Sequence, residues 1–501
     1  MIDKLFKPLD DFLNFVTMYR LMLYYLIILW FLALALSFLN LLPFTPVALI
    51  FSTVLILLTC YISNIFFEKV FRAITNFEST YISALILTLI ITPSINAQNI
   101  QFAIAAGIIS MASKYILALN KKHIFNPAAI GVLIPSLFSF GGASWWAGAP
   151  LMNIAVLLGG VLIVRKIQRF DLVLSFLLFH ALTIIFLSVV NPMDIASLLM
   201  TSFATSSILF FASVMLTEPS TTPPARKFRV FYAGVIGMLS FFQTFELALI
   251  VGNIFSYIFS HKEKLMLKLK ERIKLTNDTY EFVFSKEQGF LYEPGQYLEW
   301  TIETKKIDRR GNRRFFTIAS SPTEKDLKIG IKVYDRPSSF KNTLMSLKLG
   351  DKALAGNLAG DFVLPKETKS LIFVAGGIGI TPFRSMIKYL LDKNIKRQIV
   401  LYYSNKNEDE IVYKDIFDEA ERKLNIKTVY NLTDINNIGA QWRGYKGRLN
   451  EEIIKKESPE YKNSIFYLSG PHAMVVGFED TLLKMGVNSS QVKKDFFPGY
   501  V

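Results

Sequence analysis

The pattern of apolar positions divides the chain into two unlike halves. Up to about residue 260, long apolar runs follow one another with short polar loops between them. The apolar segments are 20–41, 44–67, 79–95, 101–119, 124–138, 148–164, 171–190, 195–216, 229–241 and 245–260. About 20 apolar residues cross a bilayer core, so the pattern predicts a membrane domain over residues 1–260 with about ten helices. Beyond it, short apolar runs alternate with charged positions, which is typical of mixed strands and helices.

Basic residues fall in every second loop between these segments. They are Lys4 and Lys7, Lys69 and Arg72, Lys121 and Lys122, Arg165, Lys166 and Arg169, Arg226, Lys227 and Arg229, and Lys262 and Lys264. The intervening loops carry no Lys or Arg. This alternation predicts an even number of spans with both termini cytoplasmic. We expect the chain in a bacterial-type plasma membrane, with its first apolar run retained because no small-residue cleavage site follows it.

An internal repeat runs through the apolar half. The similar pairs are SALILTLIITPS (83–94) with SSILFFASVMLTEPS (206–220), and FAIAAGIISM (102–111) with VFYAGVIGML (230–239). Gly107 and Gly234 lie 127 positions apart, as do Asn126 and Asn253. In the predicted topology the two copies have opposite orientations, which is typical of membrane proteins that bind a ligand near the bilayer midplane. The alternative is chance similarity among apolar segments.

Three stretches of this half carry a family resemblance. HIFNPAAIG, MLTEPSTTPPARKFRVFYAGVIGML and FELALIVGNIFSYI resemble the B-type membrane subunit of the sodium-pumping NADH:quinone reductase and the related D-type membrane subunit of the Rnf complex. The resemblance implies ten helices in a five-plus-five inverted repeat, a bound flavin and membrane electron transfer. It also implies a flavin pocket around Asn126, Pro127, Thr217 and Glu218.

Two further residues of the membrane half have two interpretations each. The resembled family attaches FMN to a threonine in an S/T-G-A-T motif, and the nearest match here is GGAS, with Ser144 at the attachment position. The alternative for Ser144 is a loop of small residues before an interfacial anchor of Trp145 and Trp146. Glu246 is either a proton or cation site or a solvated carboxylate near a helix end.

The stretch SLIFVAGGIGITPFRSMIKYLLDK (370–393) predicts a strand, a glycine turn and a helix. Gly376, Gly377 and Gly379 let the backbone turn and approach a phosphate closely. Thr381 suits the N-cap position and Pro382 the first helical position. The helix N-terminus would then face an anion, so the stretch predicts a dinucleotide site.

Five motifs of the second half resemble the ferredoxin–NADP reductase superfamily. In chain order they are RRFFTIASSP, RPSSFKNTL, GNLAGDFVLP, LSGPHAM and KKDFFPGY. The resemblance implies an antiparallel β-barrel FAD domain over residues 264–366. An α/β Rossmann-like nucleotide domain would follow over residues 367–501. The alternative is an unrelated barrel followed by an α/β domain.

The same resemblance assigns FAD-binding roles. Arg314 would pair with the FAD phosphates, Phe316 would pack on the isoalloxazine, and Thr317 would hydrogen-bond near N5. The remaining implied FAD residues are Ser338, Ser339, Phe340, Lys341, Phe497 and Tyr500.

For the nicotinamide coenzyme, the resemblance implies contacts from Gly470, Pro471 and Met474. Ser469 stands where the family has a cysteine, and it joins Thr317 as a predicted catalytic residue. Asn405 occupies a position where NADPH users commonly place an arginine, which favours NADH. The neighbouring Lys406 keeps NADPH open.

The composition limits which cofactors this chain could bind. The 501 residues include one cysteine, four histidines and a net charge of +15, with a mean hydropathy of +0.36. One cysteine excludes a disulfide, a zinc site built from several thiolates and an iron–sulfur cluster held by this chain. We predict no metal site. We also predict no nucleic-acid partner, because the basic residues lie in short loops and across an ordinary soluble domain. Only His123 and His180 fall in the membrane half proper, whereas two stacked b-haems need four histidines.

We therefore predict a membrane oxidoreductase that takes electrons from cytosolic NAD(P)H through FAD to a membrane flavin, FMN or another. The acceptor beyond it would be a quinone or an extracytosolic protein. Two alternatives stay open: a haem-containing transmembrane ferric or oxygen reductase, and a transporter with a redox-sensing reductase-like domain.

Overall fold

A computed structural model describes most of the chain as two compact units, one before Leu265 and one from Leu265 onward. The described residues are 9, 13, 16–71, 77–119, 122–138, 141–191, 194–223, 226–259, 265–304, 308, 312–334, 337–367 and 369–495. The domain boundary predicted at residue 367 stays a prediction.

The first unit is helical. Its helices are α1 Met18–Phe38, α2 Pro46–Phe71, α3 Phe77–Ile90, α4 Ala97–Ile116, α5 Pro127–Leu137, α6 Pro150–Ile167, α7 Phe170–Val190, α8 Ile195–Met200, α9 Ile208–Phe210, α10 Arg226–Phe242 and α11 Phe245–Phe259. Wide helical turns, Thr201–Thr205 and Phe211–Met215, continue α8 and α9. The short strands β1 Ala118–Leu119 and β2 Lys122–His123 pair before α5.

Four of these helices, α1, α2, α6 and α7, are long and apolar enough to cross a membrane. The bent pair Ile195–Ala204 and Ile208–Met215 makes a fifth if it is one span. These numbers refer to the described ranges. The count of ten spans and the inverted repeat stay predictions.

Glycines bring helices of the first unit into close contact. α2 packs on α4, and α7 packs on α10. A Cβ atom at Gly107 of α4 would lie 2.9 Å from Thr59, and one at Gly237 of α10 would lie 2.5 Å from the Phe176 carbonyl oxygen. Contacts also join α1 with α6 and α5 with α11, which are the pairs of equivalent helices in the predicted repeat.

Two of the basic residues assigned to cytoplasmic loops are buried in the protein. Lys166 is 5% exposed and Arg229 is 4% exposed. The Arg229 guanidinium donates from Nε and Nη2 to Asp171 Oδ2, at 3.0 and 2.8 Å. Since a buried charge is retained only when it is paired, Arg229 ties the start of α10 to the start of α7 as well as contributing to the charge pattern.

The second unit begins with an antiparallel sheet. Its strands are β3 Leu265–Lys274, β4 Thr279–Ser285, β5 Tyr297–Thr301, β6 Arg313–Thr317, β7 Asp326–Lys332 and β8 Lys352–Ala359, in the order β6-β5-β8-β3-β4-β7. α12 Ser339–Ser346 lies between β7 and β8 in the chain. Trp300, Phe282 and Phe284 are fully buried in its core. The pairings of the described residues leave β6 and β7 as edges, so a closed barrel stays a prediction.

A parallel sheet follows. Its strands are β9 Leu371–Gly376, β10 Ile399–Asn405, β11 Lys427–Leu432, β12 Tyr445–Lys446, β13 Ile465–Ser469 and β14 Val492–Lys494, with helices α13 Thr381–Asp392, α14 Lys414–Leu424, α15 Glu451–Glu457 and α16 His472–Lys484. The order is β12-β11-β10-β9-β13-β14. All six positions of β9 are buried, as expected for a central parallel strand. Because β10 and β13 flank β9, the carboxyl end of β9 is the topological switch point where such sheets bind ligands.

Candidate active site

The glycine turn lies at this switch point. Gly377 has φ +52°, and no atom lies within 4 Å of the position that its Cβ would take. A Cβ at Gly376 would lie 2.4 Å from Met474 Sδ, and one at Gly379 would lie 2.5 Å from the Ser469 carbonyl oxygen. The fold therefore packs the two stretches predicted for nucleotide binding against each other. Gly376 and Gly379 allow this close packing, and Gly377 leaves open space at the turn that a side chain would fill.

The role predicted for Thr381 as an N-cap is wrong. The turn closes as a 3₁₀ helix over Gly377–Ile380, and α13 begins at Thr381 itself. The Thr381 hydroxyl donates to the Ile378 carbonyl oxygen at 3.3 Å instead of accepting from the first turn of the helix. Pro382 lies in that first turn, where its missing N–H costs nothing.

Asn405 ends β10, the strand next to β9. Its side chain is buried, and its backbone carbonyl oxygen accepts from the Thr433 N–H at 2.9 Å. The adjacent Lys406 is exposed. Pro471 immediately precedes α16. The choice between NADH and NADPH stays a prediction.

The predicted flavin residues meet on β6 and α12. Arg314 is buried, and its guanidinium carbon lies 5.6 Å from the Phe340 ring centre. The Phe316 and Phe340 rings lie 5.8 Å apart. Thr317 Oγ1 is buried and has no hydrogen-bond partner among the described residues. A buried hydroxyl without a partner is costly, so these residues fit a polar ligand such as FAD at this position.

The predicted phosphate-binding segment has other contacts. Ser338 caps α12, accepting from the Lys341 N–H at 3.2 Å. The Ser339 N–H donates to Asp308 Oδ2 at 2.9 Å, so a carboxylate occupies one of the amides expected to face the FAD phosphates. Lys341 Nζ donates to the Lys332 carbonyl oxygen at 2.8 Å. The predicted contacts of Phe497 and Tyr500 lie outside the described residues.

A partly buried carboxyl group that the sequence reasoning missed adjoins Ser469. Ser469 Oγ donates to Asp495 Oδ2 at 3.0 Å, and the Asp495 N–H donates to the Leu468 carbonyl oxygen at 2.9 Å. Burial raises the pKa of Asp495 to about 7, although the hydrogen bond from Ser469 acts in the opposite direction. A proton on this group is therefore exchangeable near neutral pH. The signal was present in KKDFFPGY, where the aspartate directly precedes the aromatic tail.

A second polar cluster lies in the helical unit. Asn126 caps α5, with its side-chain oxygen accepting from the Ala128 and Ala129 N–H groups. Its Nδ2 donates to Glu218 Oε2 at 2.9 Å, and its own N–H donates to Asn253 Oδ1 at 2.8 Å. The other Glu218 oxygen lies 3.1 Å from His123 Nε2. The interruption before α5 is thus satisfied by polar side chains rather than exposed to lipid.

This cluster forms one wall of a pocket that includes four of the predicted membrane-flavin residues. Asn126, Pro127, Thr217 and Glu218 line it. The apolar residues that line it include Met22, Ile82, Ile86, Ile163, Ile167 and Val214. Ser144 is not among the lining residues, and its N–H donates to the Ile90 carbonyl oxygen at 2.9 Å. The structure therefore brings four of the five residues together and places the fifth elsewhere.

Glu246 is also inside the protein. It is 4% exposed and accepts from Trp145 Nε1 at 3.1 Å. The interpretation of Glu246 as a solvated carboxylate is therefore wrong. Trp145 contacts this carboxylate instead of acting only as an interfacial anchor.

Comparisons with known proteins agree with the site in the second unit. The family described as the oxidoreductase NAD-binding domain matches residues 373–480. Flavohemoprotein A of Dictyostelium discoideum is 24% identical over 243 residues, which are 45% of this chain and 58% of that protein. The F-type subunit of the Na(+)-translocating NADH-quinone reductase of Psychrobacter cryohalolentis is 29% identical over 201 residues, 37% of this chain and 49% of that protein. These similarities indicate an NAD(P)H-dependent flavin oxidoreductase in the C-terminal half.

A third relative and one solved structure are also similar to this half of the chain. The glycine betaine monooxygenase reductase subunit of Pseudomonas aeruginosa is 24% identical, covering 45% of this chain and 62% of that protein. The FAD/NAD-binding domain of a Vibrio cholerae nitric oxide dioxygenase aligns with 46% of this chain and 98% of its own, at 18% identity and a TM-score of 0.42. The chain thus spans about three fifths or less of these sequence relatives. The relatives and the NAD-binding domain support binding of FAD and NAD(P)H by the C-terminal half. Among the described residues before it, four helices, or five if the bent pair is one span, are long and apolar enough to cross a membrane.

Proposed function

We propose that the chain is a membrane oxidoreductase that passes electrons from cytosolic NAD(P)H through FAD to a flavin, FMN or another, held by the helical unit. Electrons would continue to a quinone or an extracytosolic acceptor protein. The observation that supports this proposal most directly is the pocket around Asn126 and Glu218, in a chain whose other half is an NAD(P)H-dependent flavin oxidoreductase. Both termini would lie on the cytoplasmic side of a bacterial-type plasma membrane.

In the reductase unit, each group has a role that follows from its position. Bound FAD supplies the chemistry of accepting a hydride and releasing its electrons singly. The Gly376–Gly379 turn would bind the coenzyme phosphates at the amino end of α13. Thr317 would donate its unpaired hydroxyl to the flavin, and Ser469 would line the nicotinamide site. Asp495, hydrogen-bonded to Ser469, would hold or release a proton near neutral pH.

In the helical unit, the pocket has the composition of a small-molecule site, with apolar walls and few convergent polar groups. Glu218 and Asn126 would face the polar edge of an isoalloxazine ring, and Ile82 and Ile163 its apolar part. His123 contacts Glu218, and His180 Nδ1 lies 2.8 Å from Ser240 Oγ. Because both described membrane histidines have side-chain contacts of their own, their positions favour flavin over haem as the cofactor.

The absorption spectrum of the purified full chain tests the proposal. We expect flavin bands equivalent to about two flavins per chain, because one is assigned to each unit. A strong Soret band, or flavin equivalent to one per chain after gentle purification, would overturn the two-flavin pathway.

Electron transfer across the membrane needs a second experiment. In sealed inverted vesicles, external NADH should reduce a lipophilic quinone in the bilayer or an impermeant dye trapped in the lumen. FAD reduction without any flux to either acceptor would favour the sensor interpretation and contradict the pathway.

A further inference from the structure

Arg384 lies on α13 one helical turn after Thr381, inside the protein. It is 3% exposed, and its guanidinium carbon lies 5.4 Å from the Tyr413 ring centre. Nη2 donates to Glu324 Oε1 at 3.0 Å, while Nη1 donates to the other Glu324 oxygen and to the Ala319 carbonyl oxygen at 2.9 Å. The pair is therefore a two-pronged, charge-assisted contact, the geometry in which an arginine fixes a carboxylate most firmly.

The partners of Arg384 belong to the loop that leaves the flavin strand β6. Ala319 is two residues after Thr317, whose hydroxyl has no partner among the described residues and lies at the proposed flavin site. The same loop receives a second contact from α13, because Ser385 Oγ donates to the Ser320 carbonyl oxygen at 2.6 Å. Tyr292 OH also donates to that carbonyl oxygen at 3.0 Å. The loop is thus held by neighbouring positions of the helix that begins at the glycine turn.

The electrostatics support a contact that is fully formed. Burial alone would raise the pKa of Glu324, but hydrogen bonding and charge from Arg384 outweigh it and lower this pKa below its ordinary value. Arg384 is the buried member of the pair, whereas Glu324 is partly exposed and also contacts Lys328 Nζ at 3.3 Å. Removing Glu324 would therefore leave the buried guanidinium without its carboxylate partner, so the two residues act as a unit.

We propose that Arg384 is a positioning residue for hydride transfer, and that its contact with Glu324 sets the separation between the coenzyme turn and the flavin strand. The connection is short, because Arg384 is three positions after Thr381 and Ala319 is two positions after Thr317. Hydride transfer needs the reacting atoms within about 3–3.5 Å, and a displacement of about 1 Å costs about 100-fold in rate. The inference rests on the reductase activity of the C-terminal half and not on the pathway through the membrane.

The test is anaerobic stopped-flow reduction of FAD by NADH in the detergent-solubilised full chain. Arg384→Lys keeps the charge but loses the planar fork, and Glu324→Gln keeps the shape but loses the charge. We expect each to slow FAD reduction by about 10- to 100-fold. FAD content, the KM for NADH and the reoxidation of pre-reduced enzyme by ferricyanide should change little.

Two further measurements separate positioning from a merely structural role. With NADH deuterated at the transferred position, the isotope effect on turnover should increase in the variants, because hydride transfer becomes more strongly rate-limiting. The double variant should be no slower than the slower single variant, since residues that act as a unit give non-additive effects.

A control is available on helix α14. Lys423→Met removes the Lys423–Glu419 pair, which is exposed and away from the loop after β6. It should leave FAD reduction unchanged. The proposal fails if Arg384→Lys and Glu324→Gln reduce FAD at the parental rate, if their losses follow loss of bound FAD, or if only KM increases. Failure of electron flux into the membrane, with these results intact, would affect only the proposed pathway.

Discussion

The backbone N–H of Asn126 donates to the side chain of Asn253 at 2.8 Å, across 127 residues of sequence. Asn126 stands before α5, where the chain is not yet helical, and Asn253 lies fully buried within α11. The side-chain amide of Asn253 also donates from Nδ2 to Tyr232 OH at 3.1 Å. A helix interruption inside a membrane needs such partners, because lipid offers none. These two asparagines are also the pair that the predicted repeat makes equivalent.

Replacing Asn253 by alanine should destabilise the helical unit. The Asn126 N–H loses its acceptor, and hydrogen bonds between membrane helices contribute about 1 kcal/mol. We expect a lower Tm in detergent together with loss of flavin from the helical unit. Asn64→Ala is the matched control, since Asn64 is equally buried and accepts from Tyr115 OH in a separate contact. If both variants lost flavin equally, the pocket assignment would be contradicted.

Glu218→Gln should impair electron transfer beyond FAD. The substitution keeps the side-chain shape but removes the negative charge next to His123 and Asn126. We expect NADH-dependent reduction of FAD to be unchanged, while reduction of a quinone analogue slows about tenfold, equivalent to about 1.4 kcal/mol. Asp194→Asn, at the cap of α8, should be neutral because asparagine caps equally well. Full quinone reduction by Glu218→Gln would remove this residue from the pathway.

The stability of the reductase unit should depend on pH through Asp495. Its pKa is raised to about 7 in the folded protein, so the folded state retains the proton between about pH 4 and 7 where the unfolded state has lost it. Stability from this group is therefore largest at low pH and decreases as pH rises through that window, by a few kcal/mol at roughly 1.4 kcal/mol per pKa unit. Urea unfolding from pH 5 to 8 measures this.

Asp495→Asn should flatten that dependence, because its amide does not titrate. The variant should gain stability relative to the parent protein as pH rises from 5 to 8. Asp409→Asn, at an exposed position, serves as the control and should keep the parental profile. An unchanged profile in Asp495→Asn would show that another group titrates.

Gly379→Ala should weaken coenzyme binding. The new Cβ would lie 2.5 Å from the Ser469 carbonyl oxygen, so the turn and β13 must separate. We expect the KM for NADH to rise about tenfold or more, equivalent to about 1.4 kcal/mol, with FAD content unchanged. Gly477→Ala on α16 has nothing within 4 Å and should instead be neutral or stabilising by about 1 kcal/mol. A parental KM in Gly379→Ala would exclude the turn from coenzyme binding.

Covalent FMN at Ser144 has a direct readout. A denaturing gel of the full chain should show a flavin-fluorescent band that Ser144→Ala abolishes and Ser136→Ala keeps. No band in the parent protein, or a band that survives Ser144→Ala, would remove the covalent attachment. The non-covalent pocket around Asn126 would stand independently, because Ser144 does not line it.

Local chemistry allowed many structural features of this protein to be predicted from its sequence. The glycines at 376, 377 and 379 are required by backbone conformation and close approach, so the strand, turn and helix could be predicted from one short stretch. The division into an apolar and a charged half follows from the hydrophobic effect and needs no tertiary information. Asn126 followed by Pro127 fits a helix start, since asparagine is a favoured N-cap residue and proline a favoured first helical residue.

The tertiary structure decided which distant polar groups satisfy one another. Nothing local to Asp495 says that Ser469 will donate to it, and nothing local to Arg384 says that Glu324 lies opposite. Glu246, Lys166 and Arg229 are polar in sequence, and only packing shows that they are buried. The physical reason is that a buried polar group requires a partner, while the sequence determines only that the group is polar and the fold determines which partner it meets.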